Sequence, residues 1–236
     1  PSDTLLPSLS KVKKLTYGYD LAADSLKGFD NLEELTIKSG SVPLQTIFGG
    51  KIPSSLKSVR ILDGSSKLTN YFFHGAGSIE KIHIPASVTE AEENAFEGLK
   101  DNLSSITISG NIPVPKNFTT ETIRIAPGST AVCQFFLYNN TNVKKLIMPN
   151  SVTTIQVNAL ANSALTDIKF SNNLTSFLRD SLSGIKGITK LKLPESATYF
   201  APSVFSGMTN LEEIYFGKSV KTIETSQFIG NTSLKI

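Results

Sequence analysis

The stretch "IEKIHIPASVTEAEENAFEGL" at residues 79–99 decides how the rest of the chain is read. Its apolar residues fall into three groups. Ile79, Ile82 and Ile84 form an L-x-x-I-x-I run whose side chains alternate from face to face, as in a half-buried strand. Val88 and Ala91 follow after Pro85, and Phe96 stands two positions before Gly98. Nothing in so short a segment can bury all of these residues against one another.

The pattern returns along the chain. Its first group recurs as Val12-Leu15-Tyr17, Leu32-Leu35-Ile37, Leu56-Val59-Ile61, Leu103-Ile106-Ile108 and Thr120-Ile123-Ile125. It continues as Val143-Leu146-Met148, Leu165-Ile168-Phe170, Ile188-Leu191-Leu193 and Leu211-Ile214-Phe216. The period is about 23 residues, the length of one coil of a leucine-rich solenoid. The first unit is a few residues short, and the unit opening at Leu103 is short by about six.

A second ladder pairs Val88, Val152, Leu174, Ala197 and Val220 with Ala91, Ile155, Phe177, Phe200 and Ile223, three positions on. A third runs Leu26, Phe48, Phe73, Phe96, Leu137, Leu160, Leu182, Phe205 and Phe228. Two positions beyond each member of the third stands glycine, or asparagine at Asn139 and Asn162. These are the residues that best tolerate a positive φ, so a left-handed turn is expected once per coil. Stacked coils would place leucine on leucine, with roughly 1.5–3 kcal/mol for each buried Leu, Ile or Phe. Stability would then be a sum of nearest-neighbour interfaces. Pro85, Pro149 and Pro194 fall just after the first group, where they end a strand without removing a donor from its middle.

Composition excludes several classes of function. The chain has 236 residues, 23 Lys and Arg against 20 Asp and Glu, and a formal charge of +3. That surplus is too small to imply nucleic acid as a partner. The single cysteine, Cys133, rules out an intrachain disulfide framework and a thiolate zinc cluster; a buried, inert thiol is expected. No run approaches the ~18 apolar residues of a membrane span, and "PSDTLLPSLSKV" at the start has no hydrophobic signal core.

The repeats resemble the BspA-like, or treponemal-type, leucine-rich repeats, whose pattern runs L-x-x-I-x-I-P-x-x-V-x-x-I-x-x-x-A-F-x-G-C. "VKKLIMPNSVTTIQVNALANS" (143–163) follows it as closely as 79–99, with 188–208 and 211–231 close behind. The chain departs at the family's frequent cysteine, here Leu99, Met208, Asn231, Ile185 or Ala76, and over 104–142, where the unit is compressed and a local kink is expected. The resemblance implies a leucine-rich repeat solenoid: a right-handed, β-rich horseshoe of about ten units, a parallel sheet on its concave side, and little long helix. We read residues 1–236 as one such domain, irregular at 104–142 and excised from a longer protein. A parallel β-helix is the rival architecture; one strong strand per unit and the A-F-x-G turn favour the leucine-rich form.

The resemblance also implies a cell-surface or secreted, non-catalytic module that binds a protein or an acidic glycan on a host or neighbouring cell. The alternative is a structural spacer displaying other domains. Positions three and five of each L-x-x-I-x-I run point off the core. They form a mostly basic stripe from Arg60 to Lys192, with Arg60, Lys81, His83, Arg124, Lys145, Lys169, Lys190, Lys192 and Tyr215 as candidate ligand contacts. The plainer reading is that exposed strand positions need polar side chains and lysine is a common one.

No catalytic constellation appears. His74 and His83 belong to different coils and neither accompanies a nucleophile motif. "HGAGS" (74–78) lacks the P-loop spacing and is the repeat's own turn, and "EAEEN" (90–94) lacks that of a calcium loop. Neither a cofactor nor a metal is expected. Five N-x-S/T sequons, at Asn102, Asn117, Asn139, Asn173 and Asn231, are little more than chance yields in so Ser- and Thr-rich a chain.

Overall fold

The computed structural model describes residues 9–38, 40–99, 103–116 and 118–235. The chain is a parallel β-solenoid with almost no helix, and it divides into two compact units, 1–109 and 110–236. The first unit carries β1 (Lys14–Tyr17), β2 (Glu34–Ile37), α1 (Leu44–Ile47), β3 (Ser58–Ile61), β4 (Lys67–Leu68), β5 (Lys81–His83), β6 (Glu90–Ala91) and β7 (Ser105–Ile108). The second carries β8 (Thr122–Ile125), β9 (Ala131–Val132), β10 (Lys145–Ile147), β11 (Thr154–Ile155), β12 (Asp167–Lys169), β13 (Ser176–Phe177), β14 (Lys190–Lys192), β15 (Tyr199–Phe200) and β16 (Glu213–Tyr215). A 3-10 turn, Thr225–Phe228, closes the order.

The strands of three or four residues fall on the L-x-x-I-x-I runs, and their pairing is parallel. In the first unit β1, β2, β3, β5 and β7 pair in sequence order, with Leu35 opposite Val59 and Val59 opposite Ile82. In the second, β8 pairs β10, β10 pairs β12, and β14 pairs β16. Inward residues therefore stack on their own kind: Leu35, Val59, Ile82, Ile106, Ile123, Leu146 and Leu191 are all buried.

After each proline the chain turns sharply, with the amides of Val88, Val152 and Ala197 donating to the carbonyls of Pro85, Pro149 and Pro194 at 3.1 Å. Short strands follow on the V-x-x-I segments. They form a second parallel sheet, β9-β11-β13-β15, in the second unit and the pair β4-β6 in the first. Two of these strands, β4 and β9, were hidden in the sequence because serine replaces the leading apolar residue. Ser65 and Ser129 occupy the place of Val88 and Val152, and both are buried. In the coil of β2, Gly40 lies beside β4, its carbonyl accepting the Thr69 N–H at 2.6 Å, and one turn of helix, α1, forms the segment that follows, burying Leu44 and Ile47.

The left-handed turn recurs as expected: Gly28, Gly50, Gly75, Gly98, Asn139, Asn162, Gly184, Gly207 and Gly230 all have positive φ. A second left-handed residue lies four positions earlier in most coils, at Asp24, Tyr71, Phe135, Asn158, Asp180 and Ser203. Phenylalanines fill the corner beside these turns. Phe73 stacks on Phe96 at 5.8 Å in the first unit, and in the second Phe177 stacks on Phe200 at 5.1 Å and Phe205 on Phe228 at 5.2 Å. The compressed segment forms a shortened coil in which Ile112, Val114 and Phe118 are buried.

Candidate functional site

Parallel, in-register pairing turns each outward position of the long strands into a row that crosses neighbouring strands. All nine residues singled out from sequence stand in these rows. In the first unit position three reads Lys14, Glu34, Ser58, Lys81, Ser105, and position five reads Thr16, Thr36, Arg60, His83, Thr107. In the second unit position three reads Thr122, Lys145, Asp167, and position five reads Arg124, Ile147, Lys169. On β14 and β16, Lys190 faces Glu213 and Lys192 faces Tyr215.

The two rows differ in how their charges are used. Third-position lysines meet acids one coil away. Lys14 pairs Glu34 at 2.8 Å, Lys145 pairs Asp167, and Lys190 pairs Glu213 at 2.8 Å. The hydroxyl of Tyr215 also donates to Glu213. The Lys190 ammonium, and after it that hydroxyl, hold the Glu213 carboxyl below the usual carboxylate range. The same bonds raise Lys190 and Tyr215. A further set of pairs lies one position upstream: Lys13–Glu33 at 2.8 Å, Lys57–Glu80 at 3.5 Å and Lys235–Glu212 at 2.6 Å.

Position five is different. Arg60, Arg124, Lys169 and Lys192 are exposed, and none has an ion-pair partner among the described residues; the same holds for Lys81 in the third row. Half-buried His83 stands opposite Arg60. Burial first, and then the Arg60 charge, lower its pKa against the opposing pull of Asp63, so His83 is neutral at pH 7. Tyr215 is 54% exposed. The mostly basic stripe, interrupted by acid at Asp167 and at its ends, divides by register into a third position whose lysines, Lys81 apart, meet acids and a fifth position whose cations do not. The signal was present, since Lys145 and Asp167 lie one period apart.

The remaining candidates for chemistry do not converge. Cys133 is partly buried, and burial pushes its thiol up to about 12. His74 lies 3.8 Å from Glu97 on the surface. Among the described residues no group of three His, Cys, Asp or Glu side chains is arranged to hold a metal ion. None of the described helices is long and apolar enough to cross a membrane.

Stacked coils, a left-handed turn per repeat and register-matched rows define a repeat protein of the leucine-rich class. The sequence model described as the BspA type leucine rich repeat region matches in six copies over residues 45–119 and 114–235. The chain belongs to that family. Its members are typically surface proteins and protein-binding scaffolds, and generally non-catalytic.

No curated protein matches the chain. Among solved structures it is similar to the pneumococcal vaccine antigen PcpA, at 17% identity and a TM-score of 0.51, over 96% of this chain and 65% of that one. The chain thus spans just under two thirds of PcpA. It is also similar to the leucine-rich repeat protein of T. pallidum, at 18% identity, a TM-score of 0.46, and 75% and 78% coverage. A leucine-rich cell surface protein from Faecalibacterium prausnitzii matches at 17% identity and a TM-score of 0.38, over 92% of this chain and 80% of that one.

Proposed function

We propose that the chain is a non-catalytic binding module at the cell surface or outside the cell. Its contact surface is the outward face of the long-strand sheets, and its partner is an acidic protein surface or acidic glycan on a host or neighbouring cell. One observation carries this reading: fifth-position cations have no acid of their own, whereas neighbouring third-position lysines largely do. A cation already paired gives up that partner to bind another; an unpaired one does not. Arg124 and Lys169 flank the apolar Ile147 on adjacent strands, a cationic contact with an apolar centre. The Lys192–Tyr215 rung adds an aromatic ring of the type that anchors interfaces.

The test is surface plasmon resonance against extracellular-matrix proteins, serum proteins and sulfated or sialylated glycans. Arg124→Glu with Lys169→Glu should weaken binding at least tenfold and flatten its salt dependence. Lys145→Gln with Lys190→Gln should have a much smaller effect. Equal binding by wild type and the Arg124/Lys169 variant would remove the cationic row from the contact. Absence of any partner would leave the spacer role, in which the solenoid holds other domains apart.

A further inference from the structure

One coil of the second unit is shorter than its neighbours at the corner between the left-handed turn and the long strand. From Asn139 to Val143, and from Gly184 to Ile188, the chain takes four positions to pass from the turn residue to the first apolar residue of the strand. From Asn162 to Leu165 it takes three. The residues that remain there, Ser163 and Ala164, are small. The corner is recessed, and Thr141 and Lys144 on one side and Lys186 and Gly187 on the other line a notch of about 470 Å³ around it. That volume falls in the ordinary range for a small-molecule site, roughly 300–1,000 Å³.

The lining mixes apolar surface with hydroxyls and two cations. Thr141, Ser163 and Thr166 contribute hydroxyls, Asn162 an amide, and Lys144 and Lys186 two exposed ammonium groups; no acidic residue lines it. Glu121, one coil back in register with Lys144, forms no ion pair with it, and the Lys144 Nζ instead donates to the Thr141 carbonyl at 3.4 Å. Ser163 is 4% exposed, and its hydroxyl has no hydrogen-bond partner within the protein. Asn140, whose carbonyl accepts the Ala164 N–H at 2.8 Å, also carries an unpartnered Nδ2.

We propose that this notch binds an anionic sugar unit, with its carboxylate held between Lys144 and Lys186 and its ring hydroxyls meeting Thr141 and Thr166 over the small Ser163–Ala164 floor. Two cations without acids select a negative charge. The size of the notch and its mix of apolar surface with the Thr141 and Thr166 hydroxyls select a polyhydroxylated ring over a bare anion. The site lies at the turn corner and does not depend on the cationic row of the sheet.

The test is titration of the full chain with glucuronic acid, glucose, inorganic sulfate and a short acidic peptide, followed by amide chemical shifts. Glucuronic acid should shift the amides of 162–166 and 184–187, with glucose at least tenfold weaker. Lys144→Gln with Lys186→Gln should weaken the response at least tenfold. Ala164→Leu, which fills the notch and keeps both lysines, should abolish it, and Arg124→Glu with Lys169→Glu should leave it unchanged. The spectra themselves report whether each variant is folded. No shift at millimolar glucuronic acid, or one that survives Ala164→Leu, overturns the site. An equal response to sulfate or to the peptide overturns the assignment to a sugar.

Discussion

Gly50 and Gly98 hold the same place in their coils and both have positive φ, yet their surroundings differ. A Cβ at Gly50 would meet nothing within 4 Å, whereas one at Gly98 would lie 2.6 Å from the Phe73 carbonyl oxygen and 2.8 Å from the Gly75 nitrogen. Gly50→Ala should therefore cost only the left-handed penalty of about 1–2 kcal/mol. Gly98→Ala should cost clearly more, because backbone must move; urea denaturation of the two variants measures the difference. The two buried serines offer a second contrast. Ser129 Oγ accepts the Gly110 N–H at 2.9 Å, so Ser129→Ala strands that donor and should cost about 1–3 kcal/mol. Ser65 Oγ has no partner, so Ser65→Ala should be neutral or stabilise by up to about 1 kcal/mol. The glycine turn was legible in the sequence because one residue type repeats there. The second left-handed position was not, since Tyr71, Phe135 and Ser203 carry no such signature.

At the level of strands, the ion pairs that cross neighbouring coils set a pH dependence. Glu92 and Glu213 have folded pKa values lowered chiefly by Lys67 and Lys190. Their contribution is present above the ordinary carboxylate range and is lost as pH falls through the folded value. Lys14, Lys67 and Lys190 are raised by their acids, so their share is present below the ordinary lysine value and is lost as pH rises through the folded one. His83 is lowered, so stability should rise with pH between its folded pKa and the ordinary histidine value. Melting temperature measured against pH should show these limbs, and Glu213→Gln should flatten the acid one; exposure keeps the effects small and salt-sensitive. The long strands could be read from alternation alone. The short strands β4 and β9 could not, because the physical requirement there is a small buried residue and serine meets it. The charge pairs needed the register, which the period supplies only once strands are known to lie parallel.

For the molecule as a whole, each unit is a stack in which a coil touches its neighbours, so opening should follow position within the stack. Ile223 and Ile229 are 52% and 62% exposed, whereas Phe177 and Leu182 are fully buried. Hydrogen exchange should be fast over 220–235 and slowest around β11 and β13. Cys133 gives an independent readout: with its thiol pushed up to about 12, it should resist alkylation at pH 8 in the native state and react on unfolding. The repeat, its period and its shortened unit at 104–142 were open to sequence reading because the same apolar spacing returns ten times. The recessed corner at Asn162–Leu165 was harder to see: a single missing residue leaves the spine in phase. The in-register rows carry a wider implication. An outward side chain meets its outward neighbours on the same strand and one rung to either side, so a substitution there rewrites a local patch without disturbing the spine. Such a scaffold can change what it recognises step by step, while its folding problem stays solved.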